Sequence, residues 1–203
     1  MIHLELQFNK SLCSCLKTLI RQVQNQEQTQ ELRLQDGLPD VGTILGAWGQ
    51  PILRSKEWHS GSMSISGGVM AWVLYKPEED TNAQCVETWI PFQMKWELPD
   101  TDRDGVMHTQ CLLRSIDARI TSARKIMVRA GIGVLAQAFV QDEFEHYSPP
   151  ELTEDVQLLW KTYPICIPKE AGEKAFSLEE ELTLPPSCPK IQKIWRYALG
   201  LSS

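Results

Sequence analysis

The chain has 203 residues, of which 42% are hydrophobic, and a formal net charge of −6. This length accommodates one domain of ordinary size with extra segments, or two small domains. The longest apolar runs fall far short of the ~20 residues that a membrane helix needs, and the N-terminus lacks the basic start and apolar block of a secretory signal. The composition therefore predicts a soluble, unexported protein without membrane insertion.

Charge and cysteine usage narrow the class of protein further. Residues 141–203 carry 11 acidic and 6 basic side chains, whereas residues 41–140 carry 10 of each. Nucleic acid requires a basic face, so it is not a predicted partner. The six cysteines show no C-x-x-C spacing, which favours reduced, structural thiols.

The first stretch, residues 9–23, fits two kinds of element. Its apolar residues follow helical spacing at Leu12, Leu16, Leu19, Ile20 and Val23. The alternation of residues 16, 18, 20 and 22 fits a strand instead, and a glutamine-rich run at residues 22–30 follows. Pro39 fits the first position of a helical turn, in which Val41, Ile44 and Leu45 follow helical spacing. A strand over roughly Ala47–Trp58 then leads into a hairpin turn at residues 59–62.

Residues 63–98 predict a β-hairpin with a polar turn at residues 77–82. In the second strand, apolar residues hold one parity and polar residues hold the other, which is the period of a strand with one face on a core. Trp72 and Trp96 fit the core parity. Proline cannot donate to a ladder, so Pro91 predicts that its strand is interrupted or lies at a sheet edge.

The third region contains the longest strand signal. Residues 106–114 and 116–120 predict strands, a turn follows at residues 121–123, and apolar residues then hold one parity from Ile126 to Val140. The charged, proline-containing run at residues 141–152 predicts a boundary. The fold class is therefore mainly β, an antiparallel β-sandwich or open barrel with a short N-terminal helix or helical turns and an extended C-terminal segment.

An internal repeat is visible at an offset of 150 residues. The pattern Glu31-Leu32-x-Leu34-x4-Pro39-x-Val41-x2-Ile44 recurs from Glu181 to Ile194. We therefore divide the chain into an N-terminal segment (1–30), a β domain (31–145), an acidic linker with extended strands (146–180) and the opening of a second copy (181–203). Because only the opening of this second copy is present, we expect the chain to be a fragment of a longer tandem protein.

Candidate chemistry is sparse. Asp100, Asp102 and Asp104 precede Gly105 as in the first half of a calcium loop, but Cys111 stands where the bidentate glutamate belongs. A solvated acidic turn is the favoured interpretation, and Asp100, Asp102 and Asp104 remain a weak metal candidate. His59 near two serines fits a turn better than a nucleophilic triad. No catalytic residue and no cofactor are predicted.

Aromatic and basic residues offer the better candidates for partner binding. Trp89 shares its parity with polar residues, so it predicts either an exposed anchor for a protein partner or a sheet covered on both faces. Basic residues gather around the turn at residues 121–123, where they pair with local acids or meet an acidic partner surface. The partner-binding candidates are Trp58, Trp89, Arg119, Arg124 and Lys125.

Several of these motifs, in this order, resemble the SPOCS domain, a former domain of unknown function found in sporulation proteins of spore-forming Firmicutes. The resemblance covers roughly residues 31–140. It lies in Pro39-Asp40-Val41, Val73-Leu74-Tyr75, Ile90-Pro91-Phe92, and Asp117-x-Arg119 with Arg124-Lys125.

The resemblance implies a structural role in spore coat assembly. Such domains often occur in tandem, are followed by a peptidoglycan-binding LysM module, and bring no catalytic residues. The implied partners are other spore coat or coat-basement proteins, with self-association through repeats, and the implied location is the mother-cell cytoplasm at the forespore surface. No LysM module is present in these residues, so peptidoglycan binding is not carried over. The alternative is a carbohydrate-binding module that stacks exposed tryptophans on sugar rings.

Overall fold

A computed structural model describes residues 8–79, 82–99, 103–149, 159, 161, 163–174, 177–191 and 194. These residues contain six strands and no helix. The strands are β1 (Asn9–Arg33), β2 (Val41–His59), β3 (Ser62–Pro77), β4 (Gln84–Glu97), β5 (Gly105–Ser122) and β6 (Lys125–Ser148).

The strands form two three-stranded antiparallel sheets, in the orders β1-β6-β5 and β2-β3-β4. We call them sheet A and sheet B. Across the interface between the sheets, β2 contacts β5 and β1 contacts β4. The predicted mainly-β, antiparallel sandwich is confirmed.

The core lies between the two central strands, β3 and β6. In β6 the residues of even number from Ile126 to Ala138 have no exposed surface, and Val140 has almost none, as the single-parity pattern predicts. The predicted parity of β4 is also confirmed, since Ile90, Phe92, Met94 and Trp96 are buried. Each large side chain of this kind contributes roughly 1.5–3 kcal/mol by leaving water. Burial between two sheets therefore explains why these strands alternate so regularly.

Pro91 lies on the edge strand of sheet B. β4 runs through it without interruption, and Pro91 stands opposite Gly68 of β3. No described strand pairs with the other side of β4, so the missing N–H of proline removes no ladder bond there. The predicted edge position is confirmed.

The N-terminal helix predicted for residues 9–23 is wrong, and the alternative strand is right. β1 pairs with β6 from Asn9 to Arg33, and its register shifts between Thr18 and Ile20. This β-bulge places one extra residue, Leu19, in β1 and exchanges the two faces of the strand. The apolar residues that imitate helical spacing therefore lie on both faces of β1: Ile20 stands opposite Ala138 on the core side, whereas Leu12 and Val23 are 54% and 59% exposed.

The helical turn predicted after Pro39 is also wrong. A turn at residues 36–38 precedes the proline, with Gly37 at a φ of +93°, and β2 begins directly at Val41. Val41 N–H donates to Ala123 O (2.8 Å), and Tyr75 Oη donates to Pro39 O (3.1 Å). These long-range bonds hold the segment extended.

Two strands cross the segment boundaries inferred from the sequence. β1 passes the boundary placed near residue 31, and β6 continues to Ser148, past the one placed near residue 145. Beyond the end of β6, the described residues of the linker, 149, 159, 161, 163–174 and 177–180, belong to no strand. Leu16 N–H donates to Pro168 O (2.8 Å), so part of this linker contacts β1.

The predicted second copy shares one local structure with the first. Leu38 N–H donates to Gln35 O (3.2 Å), and Cys188 N–H donates to Pro185 O (2.9 Å), again at an offset of 150. Both bonds close a turn. The two turns lie at corresponding positions of the repeat that the sequence predicts, and residues 181–184, unlike residues 31–33, belong to no strand.

Candidate functional site

The outward side of sheet B carries a group of large apolar side chains, Trp48, Met70, Trp72 and Trp89, which we call the tryptophan face. Trp48 stands directly opposite Trp72 across β2 and β3, and Met70 stands directly opposite Trp89 across β3 and β4. Directly opposite residues of an antiparallel pair point to the same side of the sheet. All four side chains are half-buried. Three strands that are separate in sequence thus build one aromatic surface.

The prediction that Trp72 belongs to the core is wrong. The core parity of β3 is the odd one, which carries Met63, Ile65 and Tyr75, whereas Trp72 is on the even parity. Trp72 Nε1 donates to Glu87 Oε2 (3.2 Å) across to β4. Ser62, Ser64 and Ser66 share this even parity, and that run of serines is the sequence signal that distinguishes it from the apolar core side, although Ser62 and Ser64 are themselves buried.

Trp89 is on the tryptophan face but is held tightly. Its ring lies against the backbone of Gly68, where a Cβ atom would stand 2.3 Å from Trp89 Cε2 and Cζ2. The guanidinium carbon of Arg54 lies over the ring, 4.2 Å from its centroid. This cation–π contact orders the indole. Both contacts use ring surface that a sugar would need for stacking.

Trp58 lies apart from the tryptophan face. Its Nε1 donates to Arg103 O (3.1 Å), and its ring packs so closely on Gly105 that a Cβ there would stand 2.6 Å from Cη2. The side chain also packs against the core. Trp58 therefore connects the end of β2 to the start of β5 through a hydrogen bond and a packing contact.

The three basic candidates gather at the turn between β5 and β6, and each has a nearby acceptor. Arg119 Nε lies 2.9 Å from Asp117 Oδ2, and Lys125 Nζ lies 3.3 Å from Glu31. Hydrogen bonds from Arg33 and then Lys125 lower the pKa of the Glu31 carboxyl. This cluster pairs with local acids.

Arg124 stabilises the turn at residues 35–40 by hydrogen bonds. Its guanidinium donates to Gln35 O (2.9 Å), Leu38 O (3.1 Å) and Asp40 Oδ1 (3.0 Å). Leu34 N–H donates in turn to Arg124 O (3.0 Å). The fork of an arginine matches this set of acceptors, and an ammonium would not.

Among the described residues, few of the side chains considered for catalysis or metal binding lie close together. Asp100 and Asp102 lie outside the described residues, and Asp104 is exposed. The described residues contain no group of three or more His, Cys, Asp or Glu side chains placed to hold a metal ion. His59 Nε2 lies 3.3 Å from Glu57 Oε2, two residues away on the same strand.

Comparisons with known proteins identify no relative: no family model, no curated protein and no solved structure matches this chain. Within the part of the chain that the structure describes, no helix has the length and apolarity needed to cross a membrane.

Proposed function

We propose that this chain is a non-catalytic interaction module of a sporulation protein, and that it binds partner proteins through the tryptophan face. The observation that carries the proposal is the convergence of Trp48, Trp72 and Trp89 with Met70 on the outward side of sheet B. All described strands belong to the two sheets of the sandwich, so none of them covers this side.

The chemistry of this face suits a protein partner. Tryptophan and methionine are enriched in the buried centres of protein interfaces. Arg54 and Glu87 stand beside the indole rings and supply polar groups of both signs next to the apolar centre. A partner surface with its own apolar side chains and a few hydrogen-bonding groups would complement it.

The spore-coat setting rests on the resemblance of the sequence motifs to the SPOCS domain. It places the module in the mother cell, at the forespore surface, with other coat or coat-basement proteins as partners. The carbohydrate-binding alternative relies on Trp58 and Trp89 as stacking platforms. The contacts of Trp58 with Arg103 and of Trp89 with Arg54 do not favour it.

The test is recovery of coat proteins from sporulating cells by the intact protein. The variant Trp72→Thr removes the centre of the tryptophan face and keeps a residue that suits a strand. We expect the wild type to recover coat proteins and Trp72→Thr to lose them. Thermal unfolding of each variant confirms that it is folded before binding is compared.

A matched control lies on the other sheet. Leu112→Thr changes a 56% exposed apolar side chain of β5 in sheet A, so it should bind as the wild type does. Equal recovery by Trp72→Thr and the wild type would remove the tryptophan face from the proposal. Recovery of no coat protein, together with retention on peptidoglycan, would support the carbohydrate-binding alternative instead.

A further inference from the structure

The outer edge of β1 pairs with no described strand after Leu16, whose N–H donates to Pro168 O, although the side chain of Gln24 donates to Lys95 O of β4 (3.2 Å). β6 pairs with one side of β1, and no described strand pairs with the other. Between Ile20 and Leu32 the register with β6 is regular, and this stretch contains no proline. Alternate backbone N–H and C=O groups along it point away from β6. Long edges of this kind are normally covered or blocked, because they recruit other strands.

The sequence of this edge is complementary to itself. If two copies of β1 lie antiparallel about a two-fold axis through Gln26, Arg21 of each copy stands opposite Glu31 of the other, which forms two pairs of opposite charge. On the side facing the core, the directly opposite pairs are Ile20 with Leu32, Gln22 with Gln30, Gln24 with Gln28, and Gln26 with itself. Apolar residues thus meet apolar residues, and amides meet amides.

Neighbouring registers are less favourable. An axis through Glu27 sets Glu27 against itself and Arg21 against Arg33, which are like charges. An axis through Asn25 sets Arg21 against Thr29 and forms no charge pair. The axis through Gln26 also uses the whole bulge-free stretch from Ile20 to Leu32.

Two side chains of β1 have unused bonding capacity in the single chain. Gln26 Oε1 is buried and has no hydrogen-bond partner among the described residues. At the axis, the Cβ atoms of the two Gln26 residues would stand ~4.5–5.5 Å apart, so the amide of one reaches the oxygen of the other. Arg21 is exposed and forms no ion pair within the described residues.

We propose that two copies of this chain associate along the β1 edge, with Gln26 on the two-fold axis, into a continuous six-stranded sheet of order β5-β6-β1-β1-β6-β5. Pairing of the open edge satisfies the outward backbone groups of both copies. This surface belongs to sheet A and is separate from the tryptophan face of sheet B. Failure of one proposal therefore leaves the other intact.

The first test measures the mass of the whole chain in solution by light scattering and sedimentation. The wild type should approach twice 23.1 kDa as its concentration rises. Arg21→Glu places one glutamate opposite each Glu31, so two pairs of like charge replace two pairs of opposite charge, and the dissociation constant of the dimer should rise on the order of tenfold or more. Lys76→Glu makes the same change of charge on an exposed residue of β3 and should leave the dissociation constant unchanged.

The second test fixes the register by disulfide cross-linking. In a background with the exposed Cys166 and Cys188 changed to serine, oxidised Gln26→Cys should form a covalent dimer, since directly opposite residues meet disulfide geometry. Gln28→Cys is equally half-buried, but the proposed register separates its two copies by ~13 Å, so it should stay unlinked. A wild type that stays monomeric at every concentration, or equal cross-linking of the two variants, would overturn the proposal.

Discussion

Gly68 is the position at which an added methyl group most directly tests the packing of the tryptophan face. A Cβ there would lie 2.3 Å from two ring atoms of Trp89 and 2.9 Å from Ile90 O. The Trp89 indole can move away from the added methyl group, but it then loses its contact with Arg54. The carbonyl of Ile90 belongs to the β3–β4 ladder and has less freedom. Gly68→Ala should therefore destabilise the fold and displace Trp89.

The expected size follows from three contributions. Overpacking costs about 1–3 kcal/mol, and loss of the Arg54–Trp89 contact adds ~0.5–1 kcal/mol. Alanine also lowers the conformational entropy of the unfolded chain, and this offsets ~0.4–1 kcal/mol of the destabilisation. The net loss in free energy of unfolding is about 2 kcal/mol. Gly46→Ala is the matched control, because Gly46 also lies in sheet B and its added Cβ would meet nothing within 4 Å.

Urea unfolding of both variants measures the difference. We expect Gly68→Ala to lower the midpoint with an unchanged slope, and Gly46→Ala to leave it unchanged or raise it slightly. Adding Trp89→Leu to Gly68→Ala should recover part of the loss, since the contact with Ile90 O remains. Equal stability of Gly68→Ala and Gly46→Ala would refute the packing of Trp89 on Gly68.

Two further predictions concern single polar contacts. Tyr75 is fully buried, and its hydroxyl donates to Pro39 O. Tyr75→Phe removes this hydrogen bond, so it should lower the free energy of unfolding by about 1 kcal/mol in urea titrations. An unchanged midpoint would contradict the bond. The hydrogen bond from Lys56 lowers the pKa of the Glu173 carboxyl below its usual 4.5, so this contact stabilises the fold above that pH and is lost as the pH falls through the lowered pKa. NMR titration of Glu173 should show a midpoint below 4.5 that rises in Lys56→Gln, and a midpoint unmoved by that substitution would exclude the contact.

Where one sheet face is buried along a regular strand, the sequence was sufficient to predict the structure. β4 and β6 alternate without a bulge over their buried stretches, so each parity keeps one environment. The turn at Gly61 and the edge position of Pro91 also followed from residue chemistry, because positive φ favours glycine and a ladder excludes proline. These features depend on local constraints that the chain carries wherever it is placed.

Only the tertiary structure decided the nature of β1 and the composition of the tryptophan face. The bulge at Leu19 exchanges the two faces of the strand, and pairing of residues 9–23 with β6, more than 100 residues away in sequence, makes this segment a strand. Trp48, Trp72 and Trp89 come from three strands, and their meeting depends on the registers of two strand pairs. The sequence by itself fixes which residues alternate. Which side of a sheet is covered, and which residues stand opposite one another, is set by long-range pairing, because a shift of one residue turns every side chain to the other face.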